Sequence, residues 1–186
     1  MIGQSMSDVP GEYHLPANAI RTYKGHIFDI TNPDTWVFDL EDIAQALSNL
    51  CRFNGHIEFY SVAEHSVRVQ KELYLNGYSV LCQMIGLLHD AVEAYIGDIP
   101  RPQKKITFLD GEPMGDFEKG LEYALFQAYG FLDADFDYYW EKVKEADLAV
   151  YLDEASERPR VGRGLSPTQA HIEFMATFER LKQLIG

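Results

Sequence analysis

The stretch Gly86-Leu87-Leu88-His89-Asp90-Ala91-Val92-Glu93 places a histidine beside an aspartate within an apolar run, with a glutamate four residues beyond the histidine. On a helix, residues four apart share a face, whereas adjacent residues are rotated by about 100°. The spacing predicts a helix on which His89 and Glu93 point the same way and Asp90 flanks them. Burying ionisable groups is costly unless a partner compensates, so the stretch contains either a hydrogen-bonded core pair or ligands of a metal ion.

The composition indicates one globular domain. The chain has 186 residues, of which 46% are hydrophobic, enough for a sizeable core. It has 29 acidic and 16 basic residues, and the resulting net charge of −13 argues against a nucleic-acid partner. Its apolar runs are too short for a membrane span, and its N-terminus shows no signal-peptide pattern. Two cysteines indicate free thiols in a reducing compartment. We therefore expect a cytoplasmic protein without nucleic-acid or membrane partners.

Turn and cap residues predict the secondary structure. Residues 1–38 are interpreted as an N-terminal extension, in which β-prone runs on either side of Lys24-Gly25 predict a short hairpin. Residues 39–186 are interpreted as one all-α domain of about six helices. The helix that follows Ser79 is predicted to continue to Gly97 and to be followed by a loop to about Gly115. Residues typical of N-caps precede four apolar-periodic stretches, namely Asp39, Ser61, Ser79 and Ser166.

Four further ionisable residues are interpreted from their places in the predicted helices. His65 borders the inward stripe of the helix after Ser61, where a histidine is either a satisfied core residue or a ligand. Asp147 lies among apolar residues at spacings of three and four, so it either pairs with a buried arginine or binds a metal. Glu64 is interpreted as the third residue of a capping box, and His171 as a core residue of the last helix.

Taken together, His65, His89, Asp90 and Asp147 are predicted on the inward sides of three helices. Two imidazoles and two carboxylates suit a divalent cation such as Mn²⁺, Co²⁺, Fe²⁺, Ni²⁺ or Mg²⁺. The lack of a cysteine ligand argues against a structural zinc site, although Zn²⁺ stays among the candidates. Four motifs contain or adjoin these residues: Ser61-Val62-Ala63-Glu64-His65-Ser66, Leu87-Leu88-His89-Asp90-Ala91-Val92-Glu93-Ala94, Gly97-Asp98-Ile99-Pro100 and Lys144-Glu145-Ala146-Asp147.

These motifs, over roughly Asp39 to Tyr151, resemble the HD-domain metal-dependent phosphohydrolases. Within that family the chain resembles the bacterial 5′-deoxynucleotidases and the phage-type dATP triphosphohydrolases, which carry an arginine-aromatic pair before the first histidine, matched here by Arg52-Phe53. The deoxynucleotidases often have tryptophan after the arginine, so Phe53 departs from their pattern. The resemblance implies an HD-type helical bundle, one catalytic metal and a homo-oligomer.

The expected activity is metal-dependent hydrolysis of deoxynucleotide phosphate esters, with dATP as the first substrate to test. Glu93 is expected to orient or deprotonate the attacking water, and Asp98 to protonate the leaving oxygen or hold a second cation. Arg52 either binds phosphate or is a solvated residue at a helix C-terminus. Lys104 and Lys105 could balance the charge of a triphosphate. The alternatives are a 5′-deoxynucleotidase acting on monophosphates, a hydrolase of cyclic nucleotides or guanosine tetraphosphate, and a non-catalytic metal-bound sensor.

Overall fold

The computed structural model describes residues 15–109, 111–132 and 135–185. Residues 1–14 of the predicted extension lie outside this range. The chain divides into two compact units, one that ends at Val37 and another that begins at Phe38, and each is described by itself.

The first unit contains the predicted hairpin. Strand β1 (Ala19–Arg21) pairs antiparallel with β2 (Ile27–Asp29). Gly25 occupies the turn at φ +91°, a conformation that glycine adopts without penalty, and its N–H donates to the carbonyl of Thr22. The hairpin is confirmed, with strands shorter than the β-prone runs of the sequence.

The second unit is mostly helical, as predicted. Its described residues form eight α-helices, two more than the six expected. The two additional helices are single turns: one lies in the stretch predicted as the end of a longer helix, and the other lies in the predicted loop. The predicted loop to Gly115 also contains a pair of two-residue strands. The elements are α1 (Leu40–Asn49), α2 (Val62–Leu75), α3 (Val80–Leu87), α4 (Glu93–Ile96), α5 (Arg101–Lys104), β3 (Phe108–Leu109), β4 (Glu112–Pro113), α6 (Met114–Ala128), α7 (Phe136–Glu157) and α8 (Pro167–Ile185).

The predicted N-caps form at four helices. An N–H of the first helical turn donates to the side chains of Asp39, Ser61, Ser79 and Ser166. Glu64 departs from the capping-box prediction, because its carboxylate accepts the backbone N–H groups of Arg163 and Leu165 at 2.6 and 3.3 Å. It therefore ties α2 to the loop that precedes α8. His171 is not a core residue as predicted: it is half-buried, and its Nε2 lies 3.1 Å from Oε1 of Glu41.

The predicted continuous helix from Ser79 to Gly97 is wrong. Helix α3 ends before Leu88 and α4 begins at Glu93, with a linking turn (residues 88–92) between them. Within this turn the N–H of Ala91 bonds the carbonyl of Leu88, the three-residue spacing of a 3-10 turn. Nδ1 of His89 lies 2.8 Å from the carbonyl oxygen of Gly86, an acceptor that a continuing α-helix would give to the N–H of residue 90. The histidine side chain thus takes over a helical hydrogen bond where α3 stops.

Helix α2 is central to the second unit, because it packs against α1, α3, α7 and α8. Gly86 on α3 permits a close approach to α2: a methyl group built there would overlap Cδ1 of the fully buried Leu73. No helix within the described ranges is long and apolar enough to cross a membrane.

Gly86→Ala should lower the free energy of unfolding by about 1 kcal/mol in urea denaturation. Overpacking costs roughly 1–3 kcal/mol, and the gain in helix propensity offsets about 1 kcal/mol of it. In a Leu73→Ala background the added methyl has room, so the same substitution should be neutral or stabilising. Equal destabilisation in both backgrounds would contradict the packing explanation.

Candidate metal centre

His65 is held in one orientation by a buried glutamate. It lies on α2 with no exposed surface, and its Nδ1 is 2.7 Å from Oε1 of Glu154 on α7. Burial raises the pKa of Glu154, but its hydrogen bond to His65 and the charges of His65 and Arg52 outweigh burial and lower it. Because an ionised carboxylate only accepts, Nδ1 is the donor. Nε2 of the same ring is buried and has no hydrogen-bond partner among the described residues.

The ring of His89, which lies in the linking turn, is held in the same way and also leaves its Nε2 without a hydrogen bond within the described ranges. Its Nδ1 faces the carbonyl oxygen of Gly86, which can only accept, so Nδ1 again carries a proton. Its Nε2 is likewise buried without a hydrogen bond to the described part of the chain. The two rings lie 5.3 Å apart, measured between centroids. Fixing Nδ1 in this way is how proteins orient imidazoles that bind metal through Nε2.

Two carboxylates approach these nitrogens. Oδ2 of Asp90 lies 3.2 Å from Nε2 of His89 and 3.6 Å from Nε2 of His65. Oδ1 of Asp147 lies 3.1 Å from Nε2 of His65 and 3.9 Å from Nε2 of His89. All four predicted ligands therefore converge. Ligand atoms of His65, His89 and Asp90 lie within 4.8 Å of one another, so this group could hold a metal ion. The two Nε2 atoms, which are buried and form no hydrogen bond with the described residues, fit that role, and the mixed donors do not select one cation.

The electrostatics of the cluster favour a positive charge. Burial lowers the pKa of His89, but the charges of Asp90 and Asp147 outweigh burial and raise it to about 9. Burial raises the pKa of Asp147, but its short contact with His65 and the charge of His89 bring the pKa below the ordinary value. The potential that holds a proton on His89 would also attract a cation.

The alternative interpretation of Asp147, an ion pair with a buried arginine, does not describe the structure. Its arginine neighbour is Arg101, whose Nη2 lies 3.4 Å from Oδ2 of Asp147 and whose side chain is 73% exposed. Exposed pairs of this kind contribute about 0–1 kcal/mol. The closer contact of Asp147 is with Nε2 of His65.

Asp147→Asn should therefore reduce metal affinity and leave folding largely intact. The amide keeps the shape of the side chain but removes the charge that attracts a cation. We expect a loss of about 10- to 100-fold in affinity for Mn²⁺ or Co²⁺, by analogy with weakened metal sites, measured by calorimetry and by metal content. Asp153→Asn, on an exposed position of the same helix, is the matched control. Unchanged metal affinity with a large loss of stability would favour a purely structural role.

Glu154 was missed by the sequence analysis, although it organises one side of the site. It is fully buried, accepts the hydroxyl of Tyr60 at 2.7 Å, and accepts Nη2 of Arg52 at 3.2 Å, in addition to its contact with His65. The one available signal was its position seven residues after Asp147, two turns along the same face of a helix. A single glutamate at that spacing does not stand out from a solvated one.

Arg52 is not a solvated residue, because it is buried and forms two ion pairs. It precedes a 3-10 turn (Phe53–Gly55), is 9% exposed, and has its Nη1 3.5 Å from Oδ2 of Asp90. Its second ion pair is with Glu154. The guanidinium therefore joins a predicted metal ligand to the residue that orients His65.

A cavity of about 480 Å³ opens at this cluster. Its wall brings together most of the predicted site residues, but Lys105 is exposed and is not part of the wall. Lys104 is part of the wall. Its Nζ lies 2.5 Å from Oε1 of Glu118 and 3.9 Å from Oε1 of Glu93. The charged wall residues are Arg52, Arg101, Lys104, Arg158, Asp90, Glu93, Asp98 and Asp147, and the aromatic ones are Phe53 and Tyr151.

Glu93 and Asp98 are carboxyl groups in surroundings that favour protonation. Glu93 is buried, and its Oε2 has no hydrogen bond to the described residues. Burial raises the pKa of Glu93 well above its ordinary value, and repulsion by Asp90 and Asp98 adds to the effect. Burial also raises the pKa of Asp98. Carboxyl groups shifted in this direction exchange protons nearer to neutral pH.

Comparison with known proteins gives a partial likeness. No family model matches the chain. Uncharacterized protein YfdR of Escherichia coli is 41% identical over 98 residues, which are 47% of this chain and 47% of that protein. Uncharacterized protein RCAP_rcc00048 of Rhodobacter capsulatus is 37% identical over 90 residues, 45% of each chain. The match thus spans about half the length of these curated relatives.

Proposed function

We propose that this chain is an HD-type metal-dependent phosphohydrolase that hydrolyses deoxynucleotide phosphate esters, with dATP as the leading substrate. The observation that carries the proposal is the convergence of two carboxylates on the buried Nε2 atoms of His65 and His89, neither of which forms a hydrogen bond with the described residues. Each is oriented through its Nδ1, and both face carboxylates of Asp90 and Asp147 beside a charged cavity. A site with no role in binding a cation would leave these nitrogens buried at a cost.

The residues around this cluster supply the remaining parts of a hydrolytic reaction. A divalent cation held by the two histidines and two aspartates would supply Lewis acidity toward water and a phosphoryl oxygen. Glu93 accepts a proton from the attacking water as its oxygen bonds to phosphorus. The bond between phosphorus and the 5′ oxygen breaks, and Asp98 donates a proton to that oxygen. Arg52 contributes positive charge near the phosphate.

The monophosphate alternative uses the same chemistry. Hydrolysis of dAMP or of dATP to deoxyadenosine breaks the same bond from phosphorus to the 5′ oxygen, and the products are phosphate or tripolyphosphate. What separates the two activities is whether the cavity binds the rest of the polyphosphate. The ion pairs of Arg52 and Lys104 with carboxylates favour the 5′-deoxynucleotidase, because they leave less free positive charge for a long anion.

The test is a screen for hydrolysis with Mn²⁺ or Co²⁺, using deoxynucleoside mono- and triphosphates, cyclic nucleotides and guanosine tetraphosphate. Phosphate is measured by malachite green, and the products are separated by ion-exchange chromatography. We expect deoxyadenosine and tripolyphosphate from dATP, and no product after chelation with EDTA. Release of pyrophosphate from dATP would contradict the assigned bond. Metal binding without any turnover would favour the sensor.

We also propose a cytoplasmic homo-oligomer, as the resemblance implies. Helix α7 supports this in part, because Leu148 and Leu152 are 47% and 59% exposed on the side away from the buried Val150. Light scattering coupled to size-exclusion chromatography should show a multiple of the 21.2 kDa chain. A monomer at micromolar concentration would contradict the proposal.

A further inference from the structure

The four cations of the cavity wall differ in how their charge is balanced. Three are neutralised by carboxylates: Arg52 by Asp90 and Glu154, Arg101 by Asp147, and Lys104 by Glu118. Arg158, the residue that follows α7, makes no ion pair with any of the described residues. A bound polyanion would therefore find uncompensated positive charge at Arg158.

Arg158 is nevertheless held in place. Its Cζ lies 3.9 Å from the centroid of the Phe53 ring, which is the distance of a guanidinium stacked on an aromatic face. Stacking uses the face of the guanidinium and leaves the N–H donors at its edge available for phosphate oxygens. The guanidinium of Arg158 thus presents oriented N–H donors at the cavity wall.

The backbone under Phe53 has an unusual conformation. Phe53 and Asn54 have φ values of +57° and +52°. A left-handed conformation is strained for a non-glycine residue and is retained where surrounding contacts impose it, often at ligand sites. Phe53 contacts Tyr151 as well, with 6.1 Å between ring centroids. The strained turn places the ring against Arg158 at the cavity wall.

The same ring connects Arg158 to the candidate metal centre. Cζ of Arg52 lies 5.6 Å from the centroid of Phe53, and Nη1 of Arg52 lies 3.5 Å from Oδ2 of Asp90. The guanidinium groups of Arg52 and Arg158 therefore both lie next to the ring of Phe53, and the first of them also contacts Asp90. A chain of phosphates that begins at the metal ligands can extend past Arg52 toward Arg158.

We infer that Arg158 binds the phosphates of the substrate beyond the one that is hydrolysed, so that it selects nucleoside triphosphates over monophosphates. The inference rests on the proposed function and names a residue for its leading substrate. A guanidinium matches two phosphate oxygens at once, which an ammonium does not. Lys104 and Lys105 were predicted to balance this charge, but Lys104 is paired with Glu118 and Lys105 lies outside the cavity wall.

The first experiment compares Arg158→Ala with Arg160→Ala. Arg160 is two residues further along the chain, and its side chain is 82% exposed and paired with Glu58, so it controls for loss of charge alone. For Arg158→Ala, kcat/KM should fall roughly 30-fold for dATP and less than about threefold for dAMP, since charge-assisted hydrogen bonds are lost only with the longer anion. Arg160→Ala should change both by less than about twofold. Equal losses for both substrates with Arg158→Ala, or no loss for dATP, would overturn the inference.

The second experiment does not depend on turnover. Binding of inorganic tripolyphosphate and of orthophosphate to the Mn²⁺-loaded protein is measured by calorimetry, with and without Arg158→Ala, after circular dichroism has confirmed folding. Tripolyphosphate affinity should fall roughly 30-fold, and orthophosphate affinity should stay within about threefold. Tripolyphosphate binding that depends on Arg158 in a protein without turnover would uphold this inference and reject the proposed hydrolase. Binding that is independent of Arg158, or absent, would overturn the inference whatever the activity.

Discussion

Glu93→Gln is expected to lower kcat for the proposed deoxynucleotide hydrolysis by about 10²- to 10⁴-fold, the contribution typical of a general base. The amide keeps the size of the buried side chain but cannot accept a proton from water. Metal content should be unchanged, because Glu93 lies outside the group of atoms that converge on His65 and His89. Single-turnover kinetics with dATP and metal analysis of the same protein sample provide the measurement.

The matched control is Glu141→Gln, an exposed glutamate of α7 that should retain full turnover. Loss of metal together with activity in Glu93→Gln would make Glu93 a metal ligand and remove it from the role of base. Full activity in the variant would leave Asp98 as the acid-base group of the cavity. Glu93→Ala should behave like Glu93→Gln in turnover, which tests whether the effect comes from the carboxylate.

Glu154→Ala is expected to lower the free energy of unfolding by about 3–5 kcal/mol, the cost of removing one partner of a buried ion pair. The substitution leaves the guanidinium of Arg52, the hydroxyl of Tyr60 and Nδ1 of His65 without their shared acceptor. Metal affinity should fall about 10- to 100-fold as well, because the ring of His65 loses the partner that orients it. Urea denaturation and calorimetric metal titration measure the two effects.

Glu157→Ala is the control for the preceding prediction, since it removes a glutamate from the same helix. Glu157 pairs with Arg68 at the surface, and its side chain is 39% exposed, so its loss should cost less than about 1 kcal/mol. Glu154→Gln should recover part of the stability, because its amide oxygen can still accept a hydrogen bond. A stable Glu154→Ala variant with normal metal affinity would show that the buried network is not needed to hold His65.

The features of the fold that depend on single local residues were predictable. The caps at Asp39, Ser61 and Ser79 form because a side-chain oxygen satisfies N–H groups that a first turn leaves unpaired. The end of α3 was not predictable, because Leu87 and Leu88 are good helix formers and no glycine or proline follows before Gly97. The helix stops where Nδ1 of His89 bonds the carbonyl oxygen of Gly86. In a continuing helix that oxygen would accept the N–H of residue 90, so the end of the helix depends on which of these two hydrogen bonds forms and not on helix propensity.

The candidate site was predictable to the extent that its residues are unusual in sequence. A histidine and aspartate inside an apolar run, and Asp147 on a packing face, are costly to bury, so each position indicated either a buried pair or a metal ligand. Arg158 and Glu154 have no such mark, since glutamate and arginine near the end of a helix are common in solvated positions. Their roles depend on which side chains the fold places opposite them, and that information is long-range.

Because the backbone at Phe53 and Asn54 is left-handed, the amino acid that evolution retains at residue 53 depends on whether stability or activity is selected. Glycine adopts that conformation freely, so in a population evolved only for thermal resistance, glycine should replace phenylalanine there. A population evolved for growth that depends on the catalysed reaction should keep an aromatic ring, because the ring holds Arg158 against the cavity wall. Sequencing residue 53 after parallel evolution under the two regimes would therefore show whether this costly turn persists for the benefit of a ligand.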